Sequence, residues 1–332
     1  MDAADFFRSV YEDNRDRPRR LRRRPAIDLA LYAVNAALVP LERRLVRRRR
    51  GARWPIAFIV GPPRAGTTLL YQLLARYLEV GYPSNFTARF WRAPVAAALL
   101  ERRLRRRPVP LESDYGRTRG AASPHELGWF WRHRLDLGTR DALTPAELAR
   151  ADAGELRDEL VALADVFGGP FVWKNVNATA YHARWLHELL PDARFIRIRR
   201  EPLAVALSIL RARRHHYGDP GRWWSIRPRD VDAWRSRPWA EQIAHQIADV
   251  EGALTAQSAE LPAPAVACLG YEELVADPRG WIRTLAGFLG AAVRDAAALE
   301  ALELAPRPAP EADPRERDAL ERALAAQRGD GR

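Results

Sequence analysis

Short apolar runs alternate with apolar positions at helical spacing through the middle of the chain. Runs typical of buried strands occur at residues 56–60, 171–173, 195–198 and 265–269. Between these runs, apolar residues recur every three or four positions, as they do from residue 69 to residue 78. Alternation of strand and helix signals favours an α/β fold with a central parallel sheet and helices on both faces.

The first apolar run ends in the turn Gly-Pro-Pro-Arg-Ala-Gly at residues 61–66, and the helical pattern follows at once. A helix that begins at such a turn presents free N–H groups and its positive dipole end to the loop, which favours a bound phosphate or sulfate. Nucleotide-hydrolysing loops of the form G-x-x-x-x-G-K-[ST] carry a lysine after the second glycine. Here Thr67 occupies that position. The candidate anion-binding residues are Pro63, Arg64, Ala65, Gly66, Thr67 and Thr68.

This loop, with a cation at Arg64 in place of the lysine, resembles the 5′-phosphosulfate loop of sulfotransferases that use 3′-phosphoadenosine 5′-phosphosulfate (PAPS). A second segment supports the resemblance, because Ser208 follows Arg200 by eight positions. The family binds the 3′-phosphate of its donor with an Arg and a Ser at this spacing, within the pattern R-[DN]-P. Glu201 departs from the Asp or Asn of that pattern.

A third segment, Y-E-E-L-V-A-D-P from Tyr271, resembles a family segment whose tyrosine lies near the adenine of the donor. Together the three segments extend the resemblance from about residue 54 to residue 290. The resemblance implies a three-layer fold related to P-loop proteins. It also implies PAPS as the co-substrate.

The chain contains a single lysine among its many arginines. Of the 54 basic residues 53 are arginine, and the single lysine is Lys174, directly after the predicted strand at residues 171–173. The carboxyl ends of strands are where α/β sheets place ligand contacts. The resemblance implies that this lysine contacts the sulfuryl group, although the small residue and proline that often follow it in the family are absent here.

Sulfuryl transfer requires a general base near the acceptor hydroxyl. Cytosolic family members have a histidine two positions after the site lysine, where this chain has Val176, and other branches use a glutamate after the first helix, where residues 82–87 contain no carboxylate. Glu126 is the first candidate and His125 the second, because they resemble a P-x-E segment of bacterial members. Alternatively, Ser123 and Glu126 form a capping box at a helix start.

The resemblance implies in-line transfer of a sulfuryl group from PAPS to a hydroxyl or amine, with Arg64 and Lys174 stabilising the charge that develops. No cluster of carboxylates, His or Cys occurs at ligand spacing, so no metal is expected. A P-loop kinase or NTPase explains only the first loop. The acceptor stays open among small molecules, glycans and lipids.

The formal charge of +12 is concentrated at the N-terminus, where fifteen arginines against seven acidic residues give residues 1–53 a charge of +8. A basic membrane- or nucleic-acid-binding module explains this arm but not the remaining motifs, and no nucleic-acid partner is expected. The apolar stretch at residues 26–41 is too short and too polar to span a bilayer. It is expected either to lie on an anionic membrane, through residues 17–53, or to dock on the catalytic domain.

The chain is therefore divided into an Arg-rich helical arm at residues 1–53, an α/β domain at 54–305 and a charged tail at 306–332 with a short peripheral helix. Residues 85–165 and 210–245 are expected to be helical segments on the acceptor side. The tryptophans of the second segment form either a lid and acceptor wall or ordinary core; they are Trp223, Trp224, Trp234 and Trp239.

One cysteine excludes an internal disulfide and fits a reducing compartment, so a cytoplasmic protein is expected, with the inner face of the cytoplasmic membrane as the site of peripheral contact. Cys268 lies in an apolar run and is expected to be buried.

Overall fold

The computed structural model describes residues 4–8, 24–49, 54–102, 109–114, 116–137, 140–306 and 311–329. Its centre is a parallel four-stranded sheet in the order β4–β1–β5–β6, and a separate antiparallel hairpin consists of β2 and β3. The strands are β1 Ile56–Val60, β2 Ser113–Asp114, β3 Arg117–Thr118, β4 Phe171–Lys174, β5 Arg194–Arg199 and β6 Val266–Gly270.

Helices connect the strands and cover the sheet. The α-helices are Pro25–Arg47, Thr67–Tyr77, Pro94–Glu101, Gly128–Leu135, Pro145–Leu148, Ala153–Phe167, Val176–Thr179, Ala183–Leu189, Pro202–Tyr217, Val231–Trp234, Trp239–Glu260, Tyr271–Ala276, Pro278–Leu289, Ala296–Glu300 and Pro314–Gly329, with 3₁₀ turns at Thr87–Phe90 and Ala263–Ala265. The predicted α/β fold with a central parallel sheet is confirmed.

All four strands of the central sheet coincide with the predicted apolar runs to within one residue at either end. β1 is buried along its whole length, and its Phe58 pairs with Trp173 on one side and Phe195 on the other. Because all the strands run parallel, their carboxyl ends meet at one edge of the sheet. That edge brings the loop after β1 together with the residues that end or follow β4, β5 and β6.

The prediction that Cys268 is buried is wrong, because its side chain is exposed. β6 forms the outer edge of the sheet and pairs with β5 alone. Successive side chains of a strand point to opposite faces, so an edge strand that is covered on one face leaves alternate residues accessible. The neighbouring Leu269 is only 3% exposed.

The helix Pro25–Arg47 is docked on the α/β body through buried polar side chains. Asn35 donates through Nδ2 to the carbonyl of Arg89, and its Oδ1 accepts from the N–H of Arg92, both at 2.8 Å. The Glu42 carboxylate accepts from the N–H groups of Val95 and Ala96 at 2.7 and 2.8 Å. One side of the described part of the arm is therefore docked on the α/β body. The arginine-rich runs at residues 17–23, 50–53 and 103–107 lie outside the described residues.

The C-terminal helix Pro314–Gly329 packs in a buried cluster with the helices Pro202–Tyr217 and Trp239–Glu260, and its Leu320 is completely buried. The tail is thus less peripheral than predicted. Within the part of the chain that the structure describes, no helix combines the length and apolar character that crossing a bilayer requires.

Candidate active site

The loop after β1 requires glycine at both of its ends. A Cβ atom at Gly61 would lie 2.5 Å from the carbonyl oxygen of Ile198, and one at Gly66 would lie 2.6 Å from Cδ2 of Tyr271. Gly66 has a φ of 104° and Arg64, inside the loop, a φ of 73°. These left-handed conformations fold the backbone tightly around the start of the helix Thr67–Tyr77, as anion-binding loops do. No side chain caps that helix.

Two arginines converge on this loop from different elements. The Nε of Arg64 donates to Oγ of Ser208 at 2.9 Å, and Nη1 of Arg200 donates to the carbonyl oxygen of Arg64 at 3.4 Å. The Cζ of Arg200 lies 4.1 Å from the centre of the Tyr271 ring. This cation–π stack fixes the plane of the guanidinium beside the aromatic face. The predicted Arg–Ser pair and the predicted adenine tyrosine therefore lie together at the phosphate loop.

Glu201 stands where the family pattern has Asp or Asn, and it serves as the N-cap of a helix, as Asp and Asn commonly do. Its carboxylate accepts from the N–H groups of Leu203 and Ala204 at 2.9 and 2.6 Å, and so caps the helix Pro202–Tyr217. Side-chain oxygens at this position satisfy N–H groups that have no partner within the helix. The cap fixes the start of the helix that carries Ser208.

Lys174 ends β4 and is 5% exposed, and its Nζ forms an ion pair with Oε1 of Glu126, whose side chain is 35% exposed. Asn175, also buried, donates through Nδ2 to the carbonyl of Glu126 at 3.0 Å. Two consecutive residues of the sheet edge thus hold the Glu126 loop in place. Sequence reasoning assigned no role to Asn175.

His125 lies beside this pair with its ring turned to its own loop. Its Nδ1 accepts from the N–H of Leu127 at 2.8 Å, and Leu127 has a φ of 51°. A neutral imidazole that accepts at Nδ1 carries its proton on Nε2, so it has no lone pair left for an acceptor proton. The helix begins at Gly128, and Ser123 donates to the carbonyl of Arg119, so the capping-box alternative is wrong.

The loop after β1, the Arg200–Tyr271 stack and the Lys174–Glu126 pair line one cleft of about 170 Å³ at the carboxyl edge of the sheet. Of the predicted site residues, those in its wall are Pro63, Arg64, Gly66, Thr67, Thr68, Glu126, Lys174, Arg200 and Tyr271. Ala65 is buried behind the loop, and Ser208 reaches the site through Arg64.

Further residues line the cleft that the sequence analysis did not place at the site. They are Leu69, Ser113, Gly116, Val176, Asn177 and Ser225. A Cβ atom at Gly116 would lie 3.6 Å from both Oε1 of Glu126 and Oγ1 of Thr68. Gly116 belongs to the hairpin of β2 and β3, and the buried Gln72 holds the approach to that hairpin by donating to the carbonyls of Pro110 and Glu112. The hairpin thus lies over the loop after β1, between Thr68 and Glu126.

One of the four tryptophans of residues 210–245 reaches the cleft. Trp224 lines it, and the His216 ring stacks on Trp224 with centroids 5.7 Å apart. Trp234 instead stacks on His245, and Trp239 packs against a buried cluster. Trp224 therefore gives the cleft a flat aromatic surface.

Among the described residues, Asp230, His245 and Asp249 form one group whose spacing could hold a metal ion. His245 and Asp249 are one helical turn apart on the helix Trp239–Glu260, while Asp230 comes from an earlier segment, so the sequence analysis did not predict the group. Its atoms already have partners: His245 bonds Asp230 at 3.0 Å and Tyr181 donates to Asp249 at 2.5 Å. None of the three residues lines the cleft.

A larger cavity of about 710 Å³ lies at the opposite edge of the sheet, by the amino ends of β1 and β5, near Trp54, Ile56 and Arg194. It contains none of the predicted site residues. Because parallel sheets bind ligands at the carboxyl ends of their strands, the smaller cleft is the candidate active site.

The fold and the cleft define a P-loop-like α/β protein in which an arginine-bearing loop replaces the nucleotide-hydrolysing one. Residues 55–295 match a family model described as "Sulfotransferase family". This match covers well over half of the chain, and the chain belongs to the sulfotransferase family.

Solved structures of sulfotransferases are similar to the chain. Sulfotransferase STF1 from Mycobacterium tuberculosis H37Rv is similar over 98% of this chain and 99% of its own, with a TM-score of 0.50 and 14% identity. The sulfotransferase domain of the Synechococcus PCC 7002 olefin synthase is 22% identical over 74% of this chain and 75% of its own, with a TM-score of 0.41. At these identities, the likeness to STF1 supports the fold alone. No curated protein sequence is significantly similar to the chain.

Proposed function

We propose that this protein transfers a sulfuryl group from PAPS to a hydroxyl or amine of a small-molecule, glycan or lipid acceptor. The observation that carries the proposal is the meeting, in one cleft, of an uncapped helix start, the Arg200–Tyr271 stack and the Lys174–Glu126 ion pair. These groups end or follow separate strands, except for Glu126, which lies in a loop. The cleft thus unites positive charge, an aromatic face and one carboxylate.

Each part of the PAPS donor has a suitable group in the cleft. The N–H groups at the start of the helix Thr67–Tyr77, with Thr67 and Thr68, suit the 5′-phosphate. Arg200 and Ser208 suit the 3′-phosphate, and Tyr271 offers a ring for the adenine. The resemblance implied that Arg64 stabilises the charge on the sulfuryl group. Because the Nε of Arg64 donates to Ser208, we propose instead that Arg64 binds the 3′-phosphate.

Lys174 then becomes the cation at the sulfuryl group. In the proposed step, the acceptor oxygen forms a bond to sulfur while the bond between sulfur and the bridging phosphate oxygen breaks. Glu126 takes the acceptor proton, and Lys174 stabilises the negative charge on the departing oxygen. The products are a sulfate ester or sulfamate and 3′-phosphoadenosine 5′-phosphate (PAP). The chemistry relies on side-chain cations, so the proposal needs no metal. One cysteine in the chain suits a cytoplasmic enzyme.

Calorimetric titration of PAP into the wild type, Arg200→Ala and Arg211→Ala tests the donor site. Arg211 is an exposed arginine on the helix that carries Ser208, so it controls for loss of general positive charge. We expect tight PAP binding that Arg200→Ala weakens at least about tenfold, since charge-assisted contacts are worth roughly 1.5–3 kcal/mol, while Arg211→Ala keeps it. Preference for ATP with Mg²⁺ over PAP would instead favour the kinase alternative.

A further inference from the structure

The outward surface of the helix Pro25–Arg47 has the opposite composition to that of an ordinary surface helix. Between residues 26 and 41, every exposed residue is apolar. We call this surface the apolar face. Its large side chains are Ile27, Leu29, Val34 and Leu41, which are 44–54% exposed, and alanines and Pro40 fill the space between them.

Between residues 26 and 42 of the same helix, no polar side chain is exposed. Asn35 and Glu42 are 0% and 2% exposed, and backbone groups of the α/β body satisfy them. Surface helices normally bury their apolar stripe and expose their polar one. Here the docked side carries the hydrogen-bonded Asn35 and Glu42 beside apolar residues such as Val46, while the apolar face stays exposed. The hydrogen bonds fix this orientation, so exposure of the apolar face is a built feature of the fold. Contiguous exposed apolar surface of this kind marks an interaction site.

Cations border the apolar face. Exposed arginines follow directly after it at positions 43, 44, 47 and 48, and Arg24 is exposed before it. No acidic residue is exposed on this helix within residues 24–49. A partner must therefore combine an apolar layer with negative charge at its edge. Apolar residues that enter the acyl boundary beside arginines at the phosphate level are the arrangement of interfacial helices.

We propose that the apolar face docks on the surface of an anionic phospholipid bilayer, with the helix lying in the plane of the interface. Ile27 and Leu41 are 14 residues apart, so the face extends along about 21 Å of helix. Juxtamembrane cations each add attraction to anionic lipids. A second copy of this chain is a poorer partner, because it would bring further arginines and no exposed carboxylates from this helix.

Sedimentation of the full chain with vesicles tests the proposal. The vesicles contain either phosphatidylcholine alone or phosphatidylcholine with phosphatidylglycerol. The variants are Ile27→Gln with Val34→Gln and Leu41→Gln, and separately Arg44→Gln with Arg48→Gln. Leu100→Gln, at a leucine 52% exposed outside this helix, is the apolar control, and Arg157→Gln with Arg184→Gln is the charge control.

The wild type is expected to sediment with the anionic vesicles and much less with the neutral ones. The triple glutamine variant should lose at least about tenfold in partitioning, and the Arg44 and Arg48 pair should lose about fivefold for each charge. Both control variants should partition as the wild type does. Equal binding to neutral vesicles, no binding to either vesicle, or a dimer that the triple variant converts to a monomer would overturn the proposal. PAP titration is independent of all these outcomes.

Discussion

The ammonium group of Lys174 forms an ion pair with the carboxylate of Glu126 at the carboxyl edge of the sheet. Lys174 is almost fully buried at the end of β4, whereas Glu126 reaches it from a loop about fifty positions earlier. The cation and the proposed base are therefore adjacent. In the proposed step, the donor engages the lysine and the carboxylate takes the acceptor proton.

Replacement of Lys174 by Met should abolish transfer while leaving the binding of PAP nearly intact. PAP lacks the sulfuryl group, so a residue that stabilises charge only during transfer contributes little to PAP affinity. We expect a loss of roughly a hundredfold or more in turnover and less than about a threefold change in the Kd of PAP. Turnover is measured as PAP released with any acceptor that supports it. A parallel loss of PAP affinity would move Lys174 to the phosphate site.

The two candidate bases respond differently to substitution. Glu126→Gln should lower kcat by about 10²–10⁴, because the acceptor proton loses its base. His125→Gln should change kcat by less than about tenfold, since the Nδ1 of His125 accepts from the N–H of Leu127. Turnover of both variants, measured as PAP released, decides the assignment. A large loss with His125→Gln and a small one with Glu126→Gln would reverse it.

Gly66→Ala should damage the donor site through the backbone. The φ of 104° is unfavourable for alanine, and its Cβ would lie 2.6 Å from Cδ2 of Tyr271, so the loop or the tyrosine must shift. We expect a stability loss of at least about 1 kcal/mol and weaker PAP binding.

Gly252→Ala is the matched control for this change. Gly252 lies within the helix Trp239–Glu260, and an added Cβ would meet no atom within 4 Å. This variant should gain about 0.5–1 kcal/mol of stability and bind PAP as the wild type does. Equal effects of the two alanines in urea unfolding and calorimetry would show that the loop tolerates a side chain at Gly66.

Glu201→Ala should weaken the start of the helix Pro202–Tyr217 by about 1 kcal/mol, because two N–H groups lose their acceptor. Glu201→Asp should retain most of the cap, since a shorter carboxylate is a common N-cap. Urea unfolding of both variants measures the cost, and PAP titration measures its effect on the position of Ser208. If Glu201→Asp were as unstable as Glu201→Ala, capping would not explain the role of Glu201.

The strands and the anion-binding loop were predictable because each leaves a local signal. β1 is a short apolar run that ends in glycine, and Lys174 follows another such run. The covering hairpin left no such signal, since strands of two residues show no period. Likewise, nothing local connects Arg64 with Ser208, which are 144 positions apart and meet only because β1 and β5 are neighbours.

The orientation of the helix Pro25–Arg47 could not be predicted from the sequence, for a different reason. Its pattern separates apolar from polar positions but does not say which side faces the protein. Asn35 and Glu42 became the buried side because backbone groups near Arg89 and Val95 satisfy them. The backbone groups that form these hydrogen bonds lie more than fifty residues away along the chain, so no local pattern in the sequence indicates them.

The docking of this helix should make stability depend on pH. Burial raises the pKa of Glu42 from 4.5 to about 7, against the opposing hydrogen bonds from Ala96 and Val95. The folded protein then binds this proton more tightly than the unfolded chain, so the contribution is full below about pH 4.5 and is lost as pH rises through about 7. Relative to Glu42→Gln, the wild-type free energy of unfolding should fall by up to about 3 kcal/mol across that range. Glu188→Gln, at an exposed carboxylate, is the control in urea unfolding at each pH. Parallel pH curves for the wild type and Glu42→Gln would exclude Glu42 as the titrating group.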